Sequence, residues 1–221
     1  MRTLRLALAA AAFLRGRASV LFWSLLARLR LRAHGATVGR RLQVRGPLRL
    51  HCHRTAVIRI GDDCRIQSGF AGNAVGSGSR MAIWVGAGAE LSLGDRVGLS
   101  NSTIVCLHAV SLEDDVLVGG GCAVYDTDFH SLDFAERRRA GNPGARTAPV
   151  HIGRRAFIGG HSIVLKGVAI GEAAVIGAGS VVRSAVGAHQ VWAGNPAVRL
   201  RELRAVEESR PVAAAAGAAP R

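Results

Sequence analysis

The strongest constraint on what this chain can fold into is a rhythm of six. From Leu93 the sequence divides into "LGDRVG LSNSTI VCLHAV", from Leu112 into "LEDDVL VGGGCA VYDTDF", and from Ile152 into "IGRRAF IGGHSI VLKGVA IGEAAV IGAGSV VRSAVG". Every block starts on an aliphatic residue. The fifth position is small or valine (Val97, Thr103, Ala109, Val116, Cys122, Ala156, Ser162, Val168, Ala174, Ser180, Val186), with Asp128 as the exception. A helix needs apolar spacing of three and four, which these blocks lack. A chain that turns a corner every six residues instead needs one large inward aliphatic per face and a small residue near the corner. Three faces close a triangular coil of about eighteen residues, and coils stack through backbone hydrogen bonds. Glycine after the aliphatic start, as at Gly94, Gly153 and Gly171, suits the turn. Val38, Val44 and Leu50 keep the spacing without small fifth residues, so residues 35 to 92 read as less regular coils of the same fold.

The rhythm stops once. After Val124 the next regular start is Ile152, so roughly twenty residues leave the coil. An excursion from a rigid scaffold is where function concentrates. It opens with "YDTDFHSLD", Tyr125 to Asp133, which sets His130 among aspartates. The residues alone leave two readings of His130, a catalytic base and a solvated loop histidine.

The charge is lopsided. Lys and Arg outnumber Asp and Glu by 29 to 15, a net +14, yet Arg2, Arg5, Arg15, Arg17, Arg28, Arg30, Arg32, Arg40, Arg41, Arg45 and Arg49 all precede the first acid, Asp62. No helix-turn-helix, zinc-finger or aromatic-basic RNA motif accompanies them, so nucleic acid is not the expected partner. An anionic membrane surface or a phosphate-rich substrate fits better.

Leu4 to Arg32 reads as helix, within a basic amphipathic segment spanning residues 1 to 34. Arg15 and Arg17 cut its apolar run into pieces of about ten residues, where a membrane span needs about twenty. Arg15 also stands where a signal peptide would carry small residues for cleavage. Two readings remain: an interfacial helix with Phe22, Trp23 and Leu26 toward lipid, or a helix packed on the end of the domain. The coil itself is expected over residues 35 to 203, and the alanine-rich segment 204 to 221 as a flexible tail. Cys52, Cys64, Cys106 and Cys122 form no C-x-x-C pair, which fits a reducing cytoplasm. Cys122, on an inward repeat position, reads as a small buried hydrophobe rather than a nucleophile.

The repeat blocks, with "IGRRAFIGGHSIVLKGVAIGEAAVIGAGSVV" followed by "WAGNPAVRLREL", resemble the bacterial hexapeptide-repeat acyltransferases, in particular the maltose, galactoside and capsule or lipopolysaccharide O-acetyltransferase group. The resemblance is strong over residues 93 to 203 and weak over 38 to 92. It implies an all-β fold, a left-handed parallel β-helix carrying the N-terminal helix, an exception to right-handed crossover. It further implies a homotrimer with acetyl-CoA as acyl donor between subunits, a sugar or glycan hydroxyl as acceptor, no metal, and cytoplasmic work in cell-envelope polysaccharide assembly.

Residue by residue, the resemblance assigns the general base to His130, at the start of the loop over residues 130 to 149. Neutral imidazole can take the acceptor's proton, and it titrates near neutrality. Asn101, in "LSNSTI", matches an asparagine opposite that histidine; its other reading is an asparagine ladder or turn. Asp126 and Asp128 fix the imidazole, hold sugar hydroxyls, or are solvated. Gly160 and Ala178 would line the pantetheine arm, with N–H groups near Gly160 facing an oxyanion. Arg183 and Arg201 would meet the coenzyme's phosphates. The chain departs from the family pattern at "VVRS", where Arg183-Ser184 replaces a Thr-Lys pair and shifts the cation by one residue. Lys166 reads as a solvated corner.

Other functions on this coil fit less well. A γ-type carbonic anhydrase needs paired histidines five apart, and His108, His130, His151 and His161 supply no such pair. A nucleotidyltransferase would need a preceding Gly-rich nucleotide-binding domain. A purely structural or binding β-helix remains the non-catalytic alternative.

Overall fold

A computed structural model describes residues 2–70, 75, 79–141 and 143–203. The alanine-rich tail expected over 204 to 221 lies outside these. The chain winds as a left-handed parallel β-helix with three sheets as the faces of a triangular prism. Sheet A stacks Thr37–Val38, Val57–Ile60, Glu90–Leu93, Ala109–Leu112, Val150–Ile152 and Ala169–Ile170. Sheet B stacks Gln43–Arg45, Arg65–Gln67, Gly98–Ser100, Leu117–Val118, Phe157–Ile158, Val175–Ile176 and Gln190–Gly194, and ends in the antiparallel strand Ala197–Glu202. Sheet C stacks Arg49–Cys52, Ala82–Val85, Thr103–Cys106, Ala123–Tyr125, Ile163–Val164 and Val181–Val182.

The repeat explains this stacking. Leu93, Leu99, Leu112, Val118, Val124, Ile152, Ile158, Val164, Ile170, Ile176 and Val182 all point inward and are buried. Each contributes about 1.5–3 kcal/mol when removed from water. The small residues two places before them, such as Ala156, Ser162, Ala174 and Ser180, are buried too and let the corners close.

In one coil the rhythm slips. The inward residue after Leu99 is Ile104, five positions on, and the block written from Val105 is out of register by one. Ser102 and Val110 are buried there, whereas Thr103, Val105 and Ala109 are only half-buried. The cause is a shortened corner at Asn101, which adopts a left-handed φ of 42°. Strand pairing recovers the alignment, with Ile104 beside Val124 and Val110 beside Val150.

A stacked coil exposes apolar interior at both ends. At the first end α1, Arg2–Ala33, lies across the opening. Leu31 and Ala27 are buried against the coil and Trp23 packs on the core. Ser24 Oγ accepts the Val44 N–H at 2.8 Å, and Arg30 Nη1 donates to the Leu48 carbonyl at 3.0 Å. The helix is thus packed on the domain, and of the three side chains expected to face lipid only Phe22 is exposed; Trp23 and Leu26 are half-buried. At the other end the hairpin of Gln190–Gly194 with Ala197–Glu202 covers the last coil.

A carboxylate column holds the corner between sheets A and B. Asp62 Oδ1 accepts the Arg40 N–H at 2.7 Å, Asp95 Oδ1 that of Asp62 at 2.7 Å, and Asp114 Oδ1 that of Asp95 at 2.8 Å. Arg41 bonds Asp63 and Arg96 bonds Asp115 beside it. The Arg40 backbone and side-chain donors hold the Asp62 carboxyl below its ordinary range, and the Arg41 guanidinium does the same for Asp63. All four cysteines are buried free thiols. Burial pushes Cys52 and Cys64 up to about 11, far from a thiolate nucleophile.

Candidate active site

Two corners carry the candidate residues, one on each side of sheet C. At the corner between C and A the chain leaves the coil at Asp126 and returns at Ala148, whose N–H donates to the Asp126 carbonyl at 2.9 Å. Thr127 and Thr147 form an antiparallel bridge that closes the base of the loop. The excursion therefore begins three residues before its expected start. Inside it, Asp133 caps α2, Phe134–Arg137, by accepting the Glu136 N–H at 3.0 Å.

His130 sits on a tight turn just above that base. Thr127 Oγ1 accepts the Phe129 N–H at 3.1 Å, and the His130 N–H donates to the Asp128 carbonyl at 2.7 Å. Phe129 takes a φ of 62°, uncommon for an aromatic residue, and its ring meets Tyr125 edge-on at 5.0 Å. This strained turn presents His130 as an exposed side chain. Asp128 faces the Lys166 ammonium at 3.4 Å, so the lone lysine ties the loop base to the next coil. Asp128 and Ser131, on either side of His130, line an open cleft of about 890 Å³ together with Glu136, Arg139, Arg146 and Lys166. Its lining offers both donors and acceptors, as a polyhydroxy ligand requires.

Asp126 is placed differently from its neighbours. It is fully buried, and its two carboxylate oxygens accept the Leu107 N–H at 2.8 and 3.0 Å and the His108 N–H at 2.7 Å. It repeats at this corner what Asp62, Asp95 and Asp114 do at another: it ties one coil to the previous one. Replacing Asp126 by alanine removes a fully buried carboxylate and takes the acceptor from the Leu107 and His108 amides that tie the two coils together. The expected loss is about 3 kcal/mol of unfolding free energy, read by urea denaturation. A change within 0.5 kcal/mol accompanied by a raised KM would mark Asp126 as a substrate ligand instead.

The corner between B and C holds the remaining group. Asn101, Gly120–Gly121, Gly160–His161 and Ala178–Gly179 stack there, joined by the bonds Gly121 N–H to Asn101 O (3.1 Å), His161 N–H to Gly120 O (2.8 Å) and Gly179 N–H to Gly160 O (2.9 Å). Below Asn101 the column is glycine-rich, with the His161 imidazole lying over Gly121 and Val75 packed on Gly120 and Gly160. A Cβ on Gly159 would stand 2.6 Å from the Ala178 nitrogen, and one on Gly119 2.7 Å from that of Gly160. Gly160 and Ala178, which the resemblance assigns to the pantetheine arm, are neighbours at this corner, and Ala178 is exposed. Arg183, at the C–A corner, and Arg201, on the terminal strand of sheet B, are exposed but lie on different edges of the prism.

Asn101 is buried, and its amide serves a second excursion that the repeat pattern did not reveal. Its Oδ1 accepts the Gly69 N–H at 2.7 Å, its Nδ2 donates to the Val75 carbonyl at 3.1 Å, and its own carbonyl accepts from Ser79 Oγ at 3.0 Å. The segment between Ile66 and Ile83 is rich in glycine and serine, and that composition was the available signal. Val75 lies against Gly120 and Gly160 and covers the upper end of this corner.

Comparison with known proteins places this architecture. Residues 149–184 match the family model described as the hexapeptide repeat of succinyl-transferase. A putative acetyltransferase of Staphylococcus aureus (strain COL) is 45% identical over 78 residues, 35% of this chain and 37% of its own length. The galactoside O-acetyltransferase of Escherichia coli (strain K12) is 34% identical over 103 residues, 47% of this chain and 49% of its own. The chain therefore spans less than half the length of these curated relatives. Among solved structures, a galactoside acetyltransferase in complex with coenzyme A superposes with a TM-score of 0.53 at 24% identity, covering 86% of this chain and 80% of that one. Repeat, coil and matched segments together make this chain a hexapeptide-repeat β-helix protein that resembles the hexapeptide-repeat acyltransferases.

Proposed function

We propose that the chain is an acyl-CoA-dependent O-acyltransferase that moves acetyl from acetyl-CoA to a sugar hydroxyl, with His130 as general base. The observation that carries this reading is the pairing of two unlike corners. One offers an exposed histidine on a braced turn beside a polar cleft. The other offers a backbone track at Gly160 and Ala178. The similarity to a galactoside O-acetyltransferase, and to one solved with coenzyme A, supports the donor and the acceptor class.

Bound acyl-CoA supplies an activated thioester. His130 Nδ1 or Nε2 takes the acceptor hydroxyl proton as its oxygen forms the new C–O bond, then returns that proton to the sulfur as the C–S bond breaks. Backbone N–H groups near Gly160 polarise the carbonyl, and Asp128 and Lys166 border the acceptor. Arg183 and Arg201, on separate edges, meet coenzyme phosphates of different sites.

The two corners stand apart by the width of sheet C, about five extended residues or roughly 15 Å, and both face outward. A complete site therefore takes the histidine corner of one copy and the backbone corner of another, as a homotrimer provides. Envelope glycan precursors on the cytoplasmic side are the matching acceptors. The test is thiol release from acetyl-CoA by purified protein with a panel of free and nucleotide-linked sugars. Acceptor-dependent release is expected; silence across the panel together with no acetyl-CoA binding by calorimetry would leave a binding β-helix.

A further inference from the structure

Helix α1 has two apolar faces, and the coil uses one. Trp23, Ala27 and Leu31 turn toward the prism. Leu14, Leu21, Phe22, Leu25 and Leu29, at i, i+7, i+8, i+11 and i+15, lie within an arc of about 100° on the opposite side. They are 58 to 71% exposed. Five large apolar side chains in one stripe exceed the scattered apolar residues of an ordinary surface.

Arginines flank this stripe. Arg15 and Arg17 are exposed on its two flanks, and Arg32 closes its C-terminal end. A groove of about 870 Å³ runs beside it between α1 and the first coil, where Arg17 and Leu21 meet Arg41 and Arg45. The helix carries no acidic residue, and none occurs before Asp62. No described helix is long and apolar enough to cross a membrane. A stripe of leucine and phenylalanine with arginines on both sides matches a surface that is apolar in depth and anionic at its face.

We propose that α1 docks this protein on anionic phospholipid bilayers, lying in the interface with Leu14, Leu21, Phe22, Leu25 and Leu29 among the acyl chains and the arginines at the phosphates. The coil stays in water, held by the opposite face of the same helix. This is independent of the acyl transfer proposed above, since no candidate catalytic residue lies on α1.

The test is co-sedimentation of the full chain with vesicles of phosphatidylglycerol mixed into phosphatidylcholine, against phosphatidylcholine alone, over a series of salt concentrations. Binding to the anionic vesicles at low salt is expected to be at least about tenfold tighter and to fall as salt rises. The double variant Arg15→Gln/Arg17→Gln should weaken it by roughly fivefold per arginine. The variant Leu21→Ser/Phe22→Ser/Leu25→Ser should weaken it more while keeping the circular dichroism of the coil, because all three side chains are 59 to 71% exposed and none belongs to the buried core. Absence of binding to anionic vesicles, equal binding to both kinds, or binding unchanged in the serine variant would overturn the proposal. If the serine variant changes the mass in light scattering while the parent ignores vesicles, a second copy covers the stripe and the proposal also fails.

Discussion

Replacing His130 by alanine is expected to lower kcat by about 10²–10⁴-fold, with the fold and the oligomer intact. The loss corresponds to roughly 3–5 kcal/mol of transition-state stabilisation, the usual worth of a positioned general base. Stability should hardly change, because the turn that carries His130 is braced by bonds that alanine keeps: its own N–H to the Asp128 carbonyl, the Phe129 N–H to Thr127 Oγ1, and the Tyr125–Phe129 ring contact. KM for acetyl-CoA should also hold, since the thioester arm is assigned to the other corner. Added imidazole should restore part of the rate in the alanine variant, which a purely structural histidine would not allow. Activity within threefold of the parent would move the base to another residue.

The coil was legible because its physics is one-dimensional. One inward aliphatic per face is a sequence pattern, so Ile152, Ile158, Val164, Ile170, Ile176 and Val182 declare their orientation with no tertiary information. The pattern misreads where a corner changes length. At Asn101 the backbone turns in five residues rather than six, and hydropathy cannot mark this because Ser102 and Thr103 are equally plausible small inward residues. Nor did the repeat disclose what the polar corner residues do. Asp126 stands in a motif beside His130, yet its carboxylate is consumed by the Leu107 and His108 amides of the previous coil. Asn101 likewise spends its amide on the segment at Gly69 and Val75. Both assignments depend on which backbone donors lie one coil away, about nineteen or thirty residues distant in sequence, where a local reading has no access. Which apolar side chains of α1 stay free was hidden for a related reason. A helix apolar on two sides has no single preferred direction, so Trp23 and Phe22 look alike until the coil selects one of them.

Two inactive copies should make an active enzyme. In the His130→Ala chain the backbone corner is intact; in an Ala178→Trp chain the histidine corner is intact, and the indole fills the track assigned to the pantetheine arm. Ala178 is exposed, so the larger side chain is accommodated without disturbing the prism. Each variant alone should be nearly silent, the first for lack of a base and the second for lack of donor binding. Refolded together in equal amounts, the copies associate at random. About a quarter of the inter-copy sites then combine an unaltered histidine corner with an unaltered backbone corner. Mixed oligomers isolated through two different affinity tags are therefore expected to recover a substantial fraction of the parent rate, a rise of at least tenfold over either variant. The geometry demands this outcome if the site is shared, because His130 lies within three residues of the bridged loop base and sheet C separates it from Ala178. Silence in mixed oligomers whose copies are both folded would mean that one chain supplies both halves, with the loop reaching across sheet C to its own Gly160 corner.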